Sequence, residues 1–171
     1  MQKLIIIRGA AASGKSTIAQ KLRNYKKKIV WLKVDAFKGF FAEDATEAME
    51  YVHGSAIATL EYLLSQGFSV VMEGIFRDPG YITQSVAVAK KMGIPFKVYE
   101  LECSRDILKE RDKERPLVKQ GWRKPLGDKV IARLHDKVKQ NPWEGAEKLD
   151  TEKLSLDECV EIIRDELKRL K

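Results

Sequence analysis

Cysteine is scarce in this chain. Only Cys103 and Cys159 are present, far apart and in no C-x-x-C pair, which argues against a disulfide framework and a cysteine-built zinc site. A reducing cytoplasm is the expected compartment. Long apolar runs are missing too: none approaches the ~20 residues of a membrane helix, so no membrane partner is expected. No internal repeat, low-complexity tract or linker divides the 171 residues, a length suited to one domain with one core. The opening MQKLIIIRG passes from a short apolar run straight into glycine with no cleavage site, which predicts a first strand in place of a signal peptide. The Asn-Lys-x-Asp motif that reads guanine is also absent.

What is present is a globular composition, 44% hydrophobic, with a formal net charge of +7. The charge is uneven. Residues 105–139 hold Lys/Arg at 105, 109, 111, 113, 115, 119, 123, 124, 129, 133, 137 and 139, against Asp/Glu at 106, 110, 112, 114, 128 and 136. Clustered cations attract polyanions, so nucleic acid stays open as a partner; a solvated helical surface of mixed charge gives the same pattern.

Strand and helix patterns alternate along the chain. Residues 3–7, 29–34, 68–72, 96–101 and 147–150 read as strands. Helices are predicted over 15–25, 44–66, 79–92, from Ser104 onward, over 128–139 and over 156–170. Gly67 and Gly93 stop two of them, and Ser104 is placed as an N-cap. Pro116, Gly121, Pro125 and Gly127 break the basic segment into a loop. The alternation predicts an α/β fold with a parallel sheet.

The most specific signal is Gly9-x-x-x-x-Gly14-Lys15-Ser16, which follows one strand and opens one helix. Backbone N–H groups of such a loop wrap phosphates at the positive end of the helix. Ala10, Ala11, Ala12 and Ser13 are small enough to let a phosphate approach, and Thr17 continues into the helix. Lys15 is expected to reach the β- and γ-phosphates of ATP, and the Ser16 hydroxyl to bind Mg²⁺. Asp35, at the end of the second strand, is placed to accept a proton from an attacking hydroxyl; a helix cap is the alternative. Lys38, one turn on, could hold substrate or be solvated. Glu73 ends the third strand, where it could support Mg²⁺ through water or orient substrate, or be a turn carboxylate. Arg77 suits an anionic group of the substrate, or pairs with Asp78. Arg111 and Arg115 stand at i, i+4 and would close over the ATP phosphates from a lid; the alternative is a helix laced with salt bridges. His53 reads as structural. Phe37, Phe40 and Phe41 read as core or base-stacking residues, Trp31 as strand core, and Trp122 and Trp143 as flanking the basic segment.

Taken together, "IIIRGAAASGKST", "VWLKVDAF", "VVMEGIFRD", "LECSRDILKERDKERP" and "LDTEKLSLDECVEII" resemble the small P-loop kinase families. These include adenylate and gluconate kinases, chloramphenicol phosphotransferase, zeta toxins and polynucleotide 5′-kinases. The resemblance runs in family order over nearly the whole chain. It implies one domain over 1–171: a five-stranded parallel sheet in order 2-3-1-4-5, a substrate segment over about 36–66 and an arginine-bearing lid over about 112–127. It also implies that Asp35 activates the acceptor and that Arg77 takes the place of an acceptor-gripping arginine. Glu73 and Phe76 stand where adenylate kinases carry aspartate and proline, and Lys38 where polynucleotide kinases carry arginine. The activity this implies is Mg²⁺/ATP-dependent phosphoryl transfer to the hydroxyl of a small molecule. A nucleoside or nucleic-acid 5′-hydroxyl is the second acceptor class. An ATP-hydrolysing switch or nucleic-acid-binding module with no acceptor is the third reading.

Overall fold

The computed structural model describes residues 2–41, 48–121 and 124–169. Its centre is β1 (Leu4–Gly9), every residue of which is buried. The run is apolar without interruption because helices cover both faces of the sheet, so both sets of alternating side chains need apolar surroundings. Leu4 and Ile6 enter one core with Val52, Leu60, Ile82 and Val86. Ile5 and Ile7 enter the opposite core with Ile18, Leu22, Cys159 and Ile163.

The remaining strands are β2 (Ile29–Lys33), β3 (Ser69–Gly74), β4 (Phe96–Glu102) and β5 (Glu147–Asp150). They order as β2-β3-β1-β4-β5, with every pairing parallel. This is the predicted sheet. The helices are α1 (Lys15–Arg23), α2 (Met49–Ser65), α3 (Gly80–Lys91), α4 (Arg105–Lys113), α5 (Pro116–Lys119), α6 (Asp128–Gln140) and α7 (Leu156–Arg169). A 3₁₀ segment, Val34–Phe40, follows β2, a stretch to which the sequence pattern assigned no element. Both cysteines are free thiols.

One local expectation changes, that for the Ser104 cap. Residues 42–47, and with them the predicted start of the helix over 44–66, lie outside the described residues; α2 is seen from Met49. Ser104 does sit at the N-cap of α4, with extended backbone, but its hydroxyl makes no capping bond. Its N–H instead donates to the Glu152 carboxylate beyond β5. Trp31 is half-buried on β2, where it packs against the core that holds Ile18 and Leu22, with the Arg23 guanidinium 5.8 Å from its ring.

One feature carries no sequence signature. Arg8 on β1 is fully buried. It lies beside Glu100 in the register of β1 and β4 and pairs with it at 2.8 Å. Its Nη2 also faces the carbonyl oxygens of Phe76 (3.2 Å), Val138 (3.3 Å) and Asn141 (2.9 Å). One guanidinium thus ties the central strand to β4, to the turn after β3 and to the end of α6.

Candidate active site

The loop between β1 and α1 is shaped by steric necessity. Gly9 has φ +154, and a Cβ there would lie 2.8 Å from Ser13 Oγ and 2.9 Å from the Leu101 carbonyl oxygen. Gly14 (φ +99) would place a Cβ 2.6 Å from Leu156 Cδ2. Ala12 is also left-handed, at φ 68, which costs a residue with a side chain and persists only where its surroundings hold it. Gly14 caps α1 without a side-chain hydrogen bond, so the positive end of the helix keeps donors for an anion.

Lys15 folds back across this loop. Its Nζ donates to the Ala10 carbonyl at 2.6 Å and approaches Ser13 Oγ at 3.5 Å. Burial lowers its pKa to about 8; Glu73 and Asp35 work against that shift, and Arg115 and Lys33 add to it. The Ser16 hydroxyl donates to Glu73 Oε1 at 2.8 Å. The expected metal-side serine and the strand-three carboxylate are therefore direct neighbours.

A cavity of about 980 Å³ runs from Lys15 and Ser16 to Asp35, Arg77, Arg111 and Arg115. It opens at the carboxyl ends of β1, β2 and β3, where parallel α/β sheets bind ligands. Asp35 lies in the first turn of the 3₁₀ segment and pairs with Lys38 at 2.6 Å, both side chains half-buried. Burial acts to raise the Asp35 pKa, but the Lys38 hydrogen bond and the charges of Lys38, Lys15 and Lys33 outweigh it and hold the carboxyl below its ordinary value. The cap position of the 3₁₀ segment is Lys33 and not Asp35. Asp78 accepts the Gly80 N–H at 2.8 Å, and no ion pair joins it to Arg77 among the described residues. Phe76 takes φ 47 and has its carbonyl beside Arg8, so the turn carrying Arg77 is pinned from below.

The two arginines assigned to the lid behave differently from each other. α4 stops at Lys113, with Glu114 as its C-cap, because Pro116 disfavours helical backbone at the residue before it. Arg111 and Arg115 therefore do not share a helix face, although both line the cavity. The Arg111 guanidinium donates to Thr151 Oγ1 (3.0 Å) and to the Thr151 carbonyl (2.6 Å), at the end of β5. Arg115 Nε meets Asp112 Oδ1 at 3.2 Å, and the buried Asp112 also accepts the Gly127 N–H at 3.2 Å. Several cations of the basic segment are paired as well: Arg105 with Asp136, Lys109 with Asp106 and Lys119 with Glu114.

Sequence reading missed three residues that meet at this cavity: Lys33, His53 and Arg133. Arg133 comes from α6 and was visible only as one cation among twelve; no spacing links it to the loop. His53, which reads as structural from the sequence, is buried on α2 while also lining the cavity. Phe37 and Phe41 pack against the core, whereas Phe40 is 81% exposed. Trp143 donates its indole N–H to Thr83 Oγ1 at 3.2 Å, on the side of α3. Trp122 lies outside the described residues. Among the described residues no cluster of three or more His, Cys, Asp or Glu could hold a metal by itself, and no helix is long and apolar enough to cross a membrane.

Comparison with known proteins agrees with this architecture. A family model described as an AAA domain matches residues 4–141. No curated protein matches the chain at a significant level. Among solved structures, a candidate kinase from Chloroflexus aurantiacus J-10-fl is 23% identical, with 98% of this chain and 96% of that one covered and a TM-score of 0.69. A gluconokinase from Sinorhizobium meliloti 1021 is 17% identical, with coverage of 98% and 93% and a TM-score of 0.71. A chain of the Pnkp1/Rnl/Hen1 RNA repair complex is 18% identical over 81% of this chain and 44% of its own length, with a TM-score of 0.66.

Proposed function

The chain belongs to the AAA domain family, and from that premise we propose that it is a phosphotransferase that moves the γ-phosphoryl group of ATP to a hydroxyl. The observation that carries this reading is the continuity of one cavity from Lys15 and Ser16 to Asp35 and Arg77. A nucleotide-hydrolysing switch has no need of a carboxylate on the far side of the phosphates; a kinase needs one to orient its acceptor. In this reading the N–H groups of residues 9–17 and the Lys15 ammonium hold the phosphates.

The donor set suits Mg²⁺, which keeps several waters and takes one or two protein oxygens together with substrate phosphates. Ser16 would ligate it and Glu73 would hold one of its waters; the ion would neutralise developing phosphate charge. Asp35 keeps its negative charge at neutral pH, aims the acceptor hydroxyl and takes its proton as the bond to phosphorus forms. Lys38 steadies that carboxylate. Residues 36–41 and 48–66 would supply the substrate side. Residues 112–121 and 124–127 would act as a lid, closing with the neighbouring Arg111 and with Arg115 over the phosphates, and Arg111 would leave Thr151 to do so.

The acceptor class we favour is a small alcohol. A nucleic-acid 5′-hydroxyl is the second reading, supported by the cations of 105–139 and by the likeness to a chain of an RNA repair complex. Labelled ATP offered with small alcohols, nucleosides and 5′-hydroxyl oligonucleotides tests both. Label appearing on an alcohol or on an oligonucleotide end selects between them. Release of label only as inorganic phosphate, unaffected by every hydroxyl compound, overturns the proposal.

A further inference from the structure

His53 is 4% exposed, yet its polar ring is incompletely satisfied. Nδ1 is sealed from solvent and has no hydrogen-bond partner. The ring lies flat on Tyr81 of α3, centroids 3.9 Å apart and planes within 5°, and meets Phe76 at 5.6 Å and 41°. Two aromatic contacts thus fix the plane of the imidazole. Its other nitrogen, Nε2, does not share that sealed, unpartnered state, and His53 lines the same cavity as Asp35, Lys38 and Arg77. A residue serving only the core would be apolar, because a buried nitrogen without a partner costs stability that a leucine or phenylalanine would not.

We propose that His53 is a specificity residue of the acceptor site, presenting a neutral Nε2–H donor to an uncharged oxygen of the acceptor. This rests on the phosphotransferase reading and narrows it. The acceptor is an alcohol with a second uncharged oxygen, the reacting hydroxyl going to Asp35 and the second oxygen (hydroxyl, ether or carbonyl) to His53.

The protonation state follows from the surroundings. Burial lowers the His53 pKa to about 4; the charges of Asp35 and Asp78 oppose the shift, and those of Lys38 and Arg77 reinforce it. A neutral imidazole has one N–H. Leaving a bare acceptor buried is tolerated better than leaving a donor buried, so the proton belongs on Nε2, facing the cavity. Such a donor carries no full charge to offset the desolvation of an anion at so buried a point, so an uncharged oxygen is the group it can hold at least cost. Lys38 is already paired with Asp35, which lowers the cationic character of the wall it shares with His53.

The test uses the full chain with Mg²⁺, a non-hydrolysable ATP analogue and ¹⁵N-labelled histidine. The chain has two histidines, so His135 serves as the internal reference. The probes are glycerol and uridine. The expected result is an Nε2–H tautomer for His53 that persists until the pH approaches 4. At least one probe should move the Nε2 signal while His135 stays still. His53→Phe, which keeps the ring and its stacking, should raise the KM of any transferred probe about tenfold, the equivalent of one lost hydrogen bond, with ATP affinity unchanged. His53→Gln restores a side-chain donor and should recover most of that loss; melting curves of both variants report folding.

An Nδ1–H tautomer, no response to either probe, or a parallel loss of ATP affinity in a folded His53→Phe overturns the inference. A probe that moves His53 while ATP releases only inorganic phosphate with every hydroxyl compound offered sinks the transferase reading and leaves the contact standing. Transfer to a probe that leaves His53 unmoved does the reverse.

Discussion

Lys15 holds its charge where water barely reaches, and that sets how it responds to pH. Its pKa is lowered to about 8, so above that pH the free protein increasingly carries a neutral amine at the loop. Phosphate charge favours the ammonium, so ATP binding should take up a proton above pH 8 and affinity should fall as pH rises further. Calorimetry in buffers of different ionisation enthalpy measures the uptake, and Lys15→Ala should abolish it. The same variant should lose transfer by at least about 100-fold while melting like the parent. Asp35 gives the complementary case. Asp35→Asn should lower transfer by roughly 10²–10⁴-fold and leave ATP affinity and slow background hydrolysis nearly unchanged. Because Lys38 holds the Asp35 pKa below its ordinary value, its ionised form persists as pH falls. The rate should therefore show no Asp35-dependent acid limb above about pH 4. His53, whose pKa is lowered like that of Asp35, acts on stability in the same direction. Its folded pKa of about 4 lies below the ordinary 6.5, so as pH falls from 6.5 only the unfolded chain gains the proton. Stability should drop across that window by up to about 3 kcal/mol, a loss that His53→Phe removes and that acid-titrated melting would detect.

At the scale of elements, the lid makes the sharpest prediction. If the arginines close on bound ATP, amide exchange across 112–121 and 124–127 should slow when Mg²⁺ and an ATP analogue are added. Unchanged exchange would leave Arg111 as a strut between α4 and β5 through Thr151. The elements themselves were largely legible. β1, the glycine loop and α1 are local in sequence, and the bounds of β5 match those expected from its pattern. The 3₁₀ segment after β2 was not legible, because VDAFKGF has no periodicity long enough to declare it. The missing hydroxyl cap at Ser104 depends on Glu152, a residue 48 positions away. Arg8, His53 and Arg133 failed for the same reason. Each acts through neighbours that only the folded sheet assembles, so no spacing in the chain could announce them. Arg111 and Arg115 were legible as residue types, while their geometry depended on Pro116 ending the helix early.

Over the whole molecule, the Arg8 junction links β1, β4, the turn after β3 and α6. Removing one member of a buried ion pair leaves the other charge without compensation, so Arg8→Met should cost about 3–5 kcal/mol in urea denaturation. Pairing it with Glu100→Leu should cost less than the sum of the two single changes. The sheet order has a further consequence, for synthesis on the ribosome. β1 takes its partners from β3 and β4, so a nascent chain carries LIII unpaired until residues 69–74 and then 96–102 have emerged. For that interval the most apolar strand has two open edges, the condition that invites pairing with another chain. Ribosomes stalled just before β3 should expose this strand to chaperones and to one another; release after β4 should not.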